Sequence, residues 1–330
     1  MRENTRRGNT HKTARTFRRA AVALLAAAGL LFLPGPVASA KAPAPHGPAA
    51  QKAHTAKSIV LPGAGGAEGI AAGKGTVFYA GDLATGDIFR GDIRKGTAEL
   101  FIDAPAGRVA VGMKFDRRHE LLFVAGGPAG TAYVYDTKTA TAKATIQLTG
   151  KQPSFINDVA LTREGAWFTN SNVAELYFVP VGSDGSLGAV RTLPLSGPAS
   201  DTSAQFNLNG IAAANGGRTL IVAHSGNGAV YTVNPQTGAS AAISGVSVPN
   251  VDGILVRGRT LWAVQNFSNQ ISRVKLSADL SSGVVKHVIT SPLFQVPTTA
   301  ANFGGKLAVV NAKLGVQNPG TFDVIVLRGR

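Results

Sequence analysis

The chain has 330 residues, no cysteine and a formal net charge of +15, with 40 glycines and 17 prolines against two tryptophans and two methionines. Disulfides and thiolate metal sites are therefore excluded, and the frequent glycine and proline argue for many short strands joined by tight turns. The charge does not point to nucleic acid: the first nineteen residues hold seven bases and one acid, so +15 minus +6 leaves +9 for the rest, and those bases stand singly in the sequence, with no basic stripe interleaved with aromatics.

In chain order, the basic stretch ending at Arg19 is followed by the apolar run "AAVALLAAAGLLFL" (Ala20 to Leu33), then "PGP" and "ASA". This is the layout of a secretory signal peptide over residues 1–40, with cleavage expected after Ala40. The apolar run is shorter than the roughly 20 residues that a bilayer span needs, so no span is expected after cleavage and the protein is expected to be secreted or otherwise extracytoplasmic. Residues 41–56, "KAPAPHGPAAQKAHTA", lack an apolar period and read as a flexible linker. "KSIVLPG" (Lys57 to Gly63) is a strand with no local partner.

The remainder repeats. "AEGIAAGKGTVFYAGD", "VGMKFDRRHELLFVAGG", "INDVALTREGAWFTNS", "LNGIAAANGGRTLIVAHS", "VDGILVRGRTLWAVQN" and "PTTAANFGGKLAVVNA" each contain a strand, a turn and a second strand. Their head positions are Glu68, Gly112, Asn157, Asn209, Asp252 and Thr298, spaced 44, 45, 52, 43 and 46 residues apart. That period fits a four-stranded propeller blade. From head to the end of the second strand is fourteen residues in five units and sixteen in the fourth, ending at Asp82, Gly126, Ser171, Ser225, Asn266 and Ala312. The sixth unit runs out at "FDVIVLRGR" after three strands. The expected fold is thus an all-β, six-bladed β-propeller over residues 57–330, a monomer, with the N-terminal strand closing the last blade and covering its open edge.

First strands of propeller blades line the central channel, so the six heads should face one another across it. Glu68, Asn157, Asn209 and Asp252 then offer two carboxylates and two amide carbonyls, a hard oxygen set suited to Ca²⁺ and acceptable to Mg²⁺, Mn²⁺ or Zn²⁺. A lone Asp at a strand head is ordinarily a turn residue, but four oxygen-bearing heads in register point to one bound divalent cation.

At these residues the chain resembles the gluconolactonase, regucalcin and luciferin-regenerating-enzyme family of six-bladed propellers, related to phosphotriesterase-type and paraoxonase-like calcium propellers. The resemblance rests on Glu-Gly in "AEGIA", Asn-Asp in "FINDVAL", Asn-Gly in "NLNGIA" and Asp-Gly in "NVDGIL". It implies that Glu68, Asn209 and Asp252 ligate the ion, that Asn157 binds the ion or substrate, and that Asp252 is also the base or nucleophile. Family members hydrolyse lactones, and relatives hydrolyse organophosphate esters.

Gluconolactonases tend to carry Arg two residues before the third head, where this chain has Phe155. A ring cannot supply the guanidinium's hydrogen-bonding fork, so a more apolar lactone or ester is the expected substrate, with Phe206 either a second aromatic of that pocket or a core or rim aromatic. His224, at the end of a second strand, is either a candidate substrate-side acid, base or supporting partner or a turn histidine satisfied by its own surroundings. The expectation is a metal-dependent carboxylic ester hydrolase acting on a small-molecule lactone or ester. The alternative is a non-catalytic propeller that binds a small ligand or protein, with a structural cation.

Overall fold

A computed structural model describes residues 50–52 and 56–329; residues 1–40, read from the sequence as a signal peptide, lie outside the described residues. The chain folds into six four-stranded antiparallel blades arranged as a propeller. The inner strands are Ala67–Ala72, Met113–Asp116, Ile156–Leu161, Leu208–Ala214, Val251–Arg257 and Pro297–Phe303. Each pairs with the strand that follows it, at Val77–Asp82, Leu121–Ala125, Gly165–Asn170, Thr219–His224, Thr260–Gln265 and Lys306–Asn311. The 40-odd-residue sequence period is thus one blade.

Two faces of every sheet must be covered, and each blade covers its neighbours. The buried apolar residues form six clusters, and every cluster draws on two adjacent blades. Between the first and second blades, for example, Tyr79 and Ile88 pack with Met113, Leu122, Tyr133 and Tyr135. Alternating residues of each strand serve the two interfaces, which is why second strands such as Leu121–Ala125 are buried throughout.

The last interface is closed as the sequence predicts. Lys57–Leu61 pairs antiparallel with Phe322–Arg328, with Lys57 opposite Val326 and Leu61 opposite Phe322. Ile59 and Leu61 are buried in the cluster shared by the sixth and first blades. Within the channel, the hydroxyls of Thr298 and Thr299 both donate to the carbonyl of Glu68 (2.8 and 2.9 Å), joining the sixth and first inner strands. The stretch read as a linker is not wholly without regular structure: Ala50–Lys52 adds a parallel strand to the edge of the fifth blade, opposite Val288 to Thr290.

Antiparallel order gives the propeller two distinct ends. Inner strands begin at one end, where the heads lie, and the turns between second and third strands share that end. The turns between first and second strands lie at the other.

Candidate functional site

The heads sit on a backbone irregularity that the sequence reading did not foresee. In five blades, three residues of the inner strand span two of the second: Ala67 to Ile70, Ile156 to Val159, Leu208 to Ile211, Val251 to Ile254 and Pro297 to Ala300. These are β-bulges, which turn side chains out of the regular alternation. Glu68, Asn157, Asn209, Asp252 and Thr298 are the first residues after the last regular pair, and all five are buried.

Glycine follows the head in three of these blades because the inner strands crowd together around the axis. A side chain at Gly69 would collide with the carbonyl of Val111, and one at Gly210 would stand 2.6 Å from the carbonyl of Asp252. In the third blade Asp158 takes that place, and the second head, Gly112, is the space it needs: any Cβ there would strike the Asp158 carboxylate. Asp158 accepts from the N–H of Val159 (2.8 Å) and, across the blade boundary, from that of Ile211 (3.2 Å).

The head-to-end count of fourteen or sixteen becomes a circuit of hydrogen bonds. Asn157 Nδ2 donates to Ser171 Oγ (2.9 Å), which donates to the carbonyl of Leu208 (2.7 Å). Asn209 Nδ2 donates to Ser225 Oγ (3.0 Å), which donates to the carbonyl of Val251 (2.7 Å). A hydroxyl has one proton; with it given to the next blade's backbone, each serine can only accept from its asparagine. Both amides therefore present NH₂ to serine, and both Oδ1 atoms are left without a hydrogen bond among the described residues. In the fifth blade Asn266 Nδ2 donates to Asp252 Oδ2 (2.8 Å).

The carboxylates are short of partners. Glu68 Oε2 is buried and accepts no hydrogen bond from the described residues. Burial, followed by the charges of Asp252 and Asp158, holds the Glu68 carboxyl well above its ordinary range, with Lys114 acting the other way. Burial also raises Asp158, against Lys114 and its two backbone donors. Asp252 is pushed up to about 7, first by burial and then by Asp158, while Asn266 and Asn209 oppose the shift.

Among the described residues no three His, Cys, Asp or Glu side chains are close enough to hold a metal by themselves. A cation here would depend on the amide oxygens as well as the carboxylates. The donor chemistry fits that requirement: an unpartnered carboxylate oxygen on Glu68, two amide oxygens and Asp252 form a hard oxygen set, and neither carboxylate makes a salt bridge among the described residues.

His224 does not belong to this set. It is fully buried; its Nδ1 accepts from the N–H of Asn227 (3.1 Å), so the proton sits on Nε2, which donates to the carbonyl of Asp201 (2.8 Å). With both nitrogens engaged by main chain, the ring is the satisfied histidine of the two sequence readings, and neither nitrogen is left over for the substrate-side role. Its repeat position explains why: Asn170, Gln265 and Asn311 stand one residue before the second-strand ends of their blades, and each likewise ties the loop entering its own inner strand. Phe155 is half-buried beside the third head and meets Phe206 edge-on, with ring centroids 5.8 Å apart; Phe206 is 43% exposed. The sequence reading missed Asp158 as a buried charge and Ser171, Ser225 and Asn266 as the groups that orient the heads. Their constant distance from the heads was the available signal.

These features define a six-bladed β-propeller with a polar cluster at one end of its channel. No protein-family model matches the chain, and no curated protein does. Many solved structures share the fold. A catalytically inactive virginiamycin B lyase from Staphylococcus aureus with quinupristin is similar at a TM-score of 0.57 and 12% identity, over 83% of this chain and 99% of that one. A protein from Lactobacillus plantarum gives 0.54 and 18%, over 74% and 77%. The WD40 repeats of RRP9 give 0.55 and 12%, over 79% of each chain. At such identities the likeness is one of fold, and it spans proteins of unrelated roles.

Proposed function

We propose that the protein is an exported, metal-dependent hydrolase of lactones or related esters, with a divalent cation, Ca²⁺ foremost, held by Glu68, Asn157, Asn209 and Asp252. The observation that carries the reading is the unpartnered Glu68 Oε2 among oriented amide oxygens and a second carboxylate. A buried carboxylate with no partner is costly, and a cation is the simplest group to offset it. When bound, such an ion would supply electrophilic polarisation of the substrate carbonyl.

The chain's own residues supply the rest. Asn266 occupies Asp252 Oδ2, so Oδ1 is the oxygen that takes the proton of an attacking water or, in the covalent variant, attacks the acyl carbon itself. Asn157, held by Ser171, orients the substrate from the third blade, on the other side of the blade that carries Asn209. Phe155 and Phe206 offer aromatic surface and no guanidinium, which favours aliphatic or aromatic lactones over sugar lactones.

The test is a panel of sugar, aliphatic and aromatic lactones and phosphotriesters assayed with Ca²⁺ and with chelator. Chelator-sensitive turnover that Asp252→Asn reduces by about a hundredfold or more supports the reading, since general acid–base groups contribute on that order. Tight cation binding with no turnover across the panel would instead favour a ligand-binding propeller.

A further inference from the structure

The bases that stand singly in the sequence are gathered in space. Every turn between the first and second strands of a blade carries or directly adjoins at least one: Lys74, Arg117, Arg163, Arg218, Arg257 at the end of its inner strand and Lys306 at the start of its second strand, all exposed. Arg118 and Arg259 double two of them, so the six turns hold one, two, one, one, two and one, a sum of eight, against the three acids Asp116, Glu120 and Glu164. The turns between second and third strands, at the opposite end, carry one base, Lys313, which is buried. Because these turns recur once per blade, the charges form a ring around the channel mouth farther from the candidate site.

The turns between third and fourth strands share this end farther from the axis and carry Arg94, Lys95 and Lys138 against Asp92, Asp136, Asp184 and Asp279, so they lower the net positive charge of this end slightly without cancelling it. Glu120 pairs with Lys74 and also with Lys138 (2.8 Å), but Arg163, Arg218, Arg257, Arg259 and Lys306 make no salt bridge among the described residues. The mouth inside the ring is a cavity of about 300 Å³, bounded by the ends of all six inner strands, and Lys114 is its only charged lining residue. None of the exposed large apolar side chains lies in the turns at this end: Val60, Leu100 and Val284 are on outer strands, and Phe206, Phe267, Leu293 and Val316 are in loops at the head end.

We propose that this end of the propeller docks on the surface of an anionic phospholipid bilayer. A ring of separated charges matches a plane, where all six blades can contact headgroups together; a linear polyanion would meet only part of the ring at a time, and no exposed aromatic lies among the bases to stack on nucleobases. With no apolar side chain to insert, the association is peripheral and electrostatic, and it is screened by salt. The candidate site then opens away from the membrane, where soluble substrate reaches it unhindered.

The experiment is co-sedimentation of the full chain with phosphatidylglycerol vesicles and with phosphatidylcholine vesicles. Arg163→Glu/Arg257→Glu is compared with Lys143→Glu/Lys286→Glu, which changes net charge equally on outer strands. Any contribution of the N-terminal apolar run is common to all the chains, and urea unfolding of each variant verifies that it is folded. The expected result is preference for phosphatidylglycerol, abolished near 0.5 M salt, with the turn variant weakened about tenfold or more and the outer-strand variant weakened at most about threefold. Equal loss in both variants, no loss in the turn variant, or inorganic polyphosphate binding as tightly as vesicles at equal accessible phosphate would overturn the proposal.

Discussion

The buried carboxylates make the metal-free protein sensitive to pH in a defined direction. Asp252 titrates at about 7 in the fold and near 3.8 when unfolded, so between these values the native state holds a proton that the unfolded chain has lost. Stability therefore falls as pH rises from about 4 to about 7. A difference of roughly 3 units at about 1.4 kcal/mol each gives about 4 kcal/mol lost from this group. Glu68 and Asp158 are raised as well and act in the same sense. For a domain of this size about 4 kcal/mol corresponds to roughly 8–16 °C in Tm.

The assay is thermal and urea unfolding in chelator at pH 5, 6, 7 and 8, repeated with millimolar Ca²⁺. In chelator the protein should be most stable at pH 5; Ca²⁺ should restore stability at pH 8 and do little at pH 5, where the carboxyls keep their protons. Glu68→Gln should raise the stability of the metal-free protein at pH 8 and diminish the Ca²⁺ response. A flat profile from pH 5 to pH 8 in chelator, or a Glu68→Gln variant less stable than the parent there, would refute the assignment of Glu68 as a buried charge awaiting a cation.

Ser171→Ala frees the Asn157 amide and breaks the link to Leu208; calorimetric titration should show weaker Ca²⁺ binding, and unfolding a loss of about 1–2 kcal/mol. His224→Ala should cost about 1–3 kcal/mol, because it strands the buried carbonyl of Asp201 and N–H of Asn227, yet leave Ca²⁺ affinity unchanged in the same titration. Phe155→Arg should shift the ratio of kcat/KM values toward sugar lactones in the panel assay. Deletion through Pro62 removes the buried Ile59 and Leu61, each contributing roughly 1.5–3 kcal/mol, and uncovers Phe322–Arg328; scattering and Tm should report aggregation or a large loss of stability. Deletion of residues 41–55 should lower Tm far less.

The repeat was legible because a blade needs the same apolar alternation and the same turns each time. Closure by Lys57–Leu61 followed from counting strands, since three strands at one end of the sequence and one orphan at the other leave a single arrangement without an open edge. The bulges were not legible: an Asp-Gly or Asn-Gly pair at a strand head reads as turn chemistry, and only the cross-strand register shows an extra residue held within the ladder. The meaning of Gly112 depended on Asp158 of the next blade, a contact between residues 46 positions apart. His224 had two readings for a related reason: its type suggested chemistry, whereas its place in the repeat, shared with Asn170, Gln265 and Asn311, assigns it to holding a loop.

Closure also sets an order of events. Ser58 on the closing strand bonds to Asp323 on its partner, 265 positions later (2.7 Å). A strand synthesised before any blade is complete is therefore among the last to dock, and until the sixth blade is made Lys57–Leu61 has no neighbour to pair with. Five blades can assemble progressively through contacts between successive units, but the final interface must join the two ends of the chain, a step of high contact order and correspondingly slow. During that interval the chain exposes two unpaired edges, Lys57–Leu61 and Phe322–Arg328. The protein must pass through this open-ring stage before completion, so conditions that lengthen it would favour pairing between separate chains over closure within one.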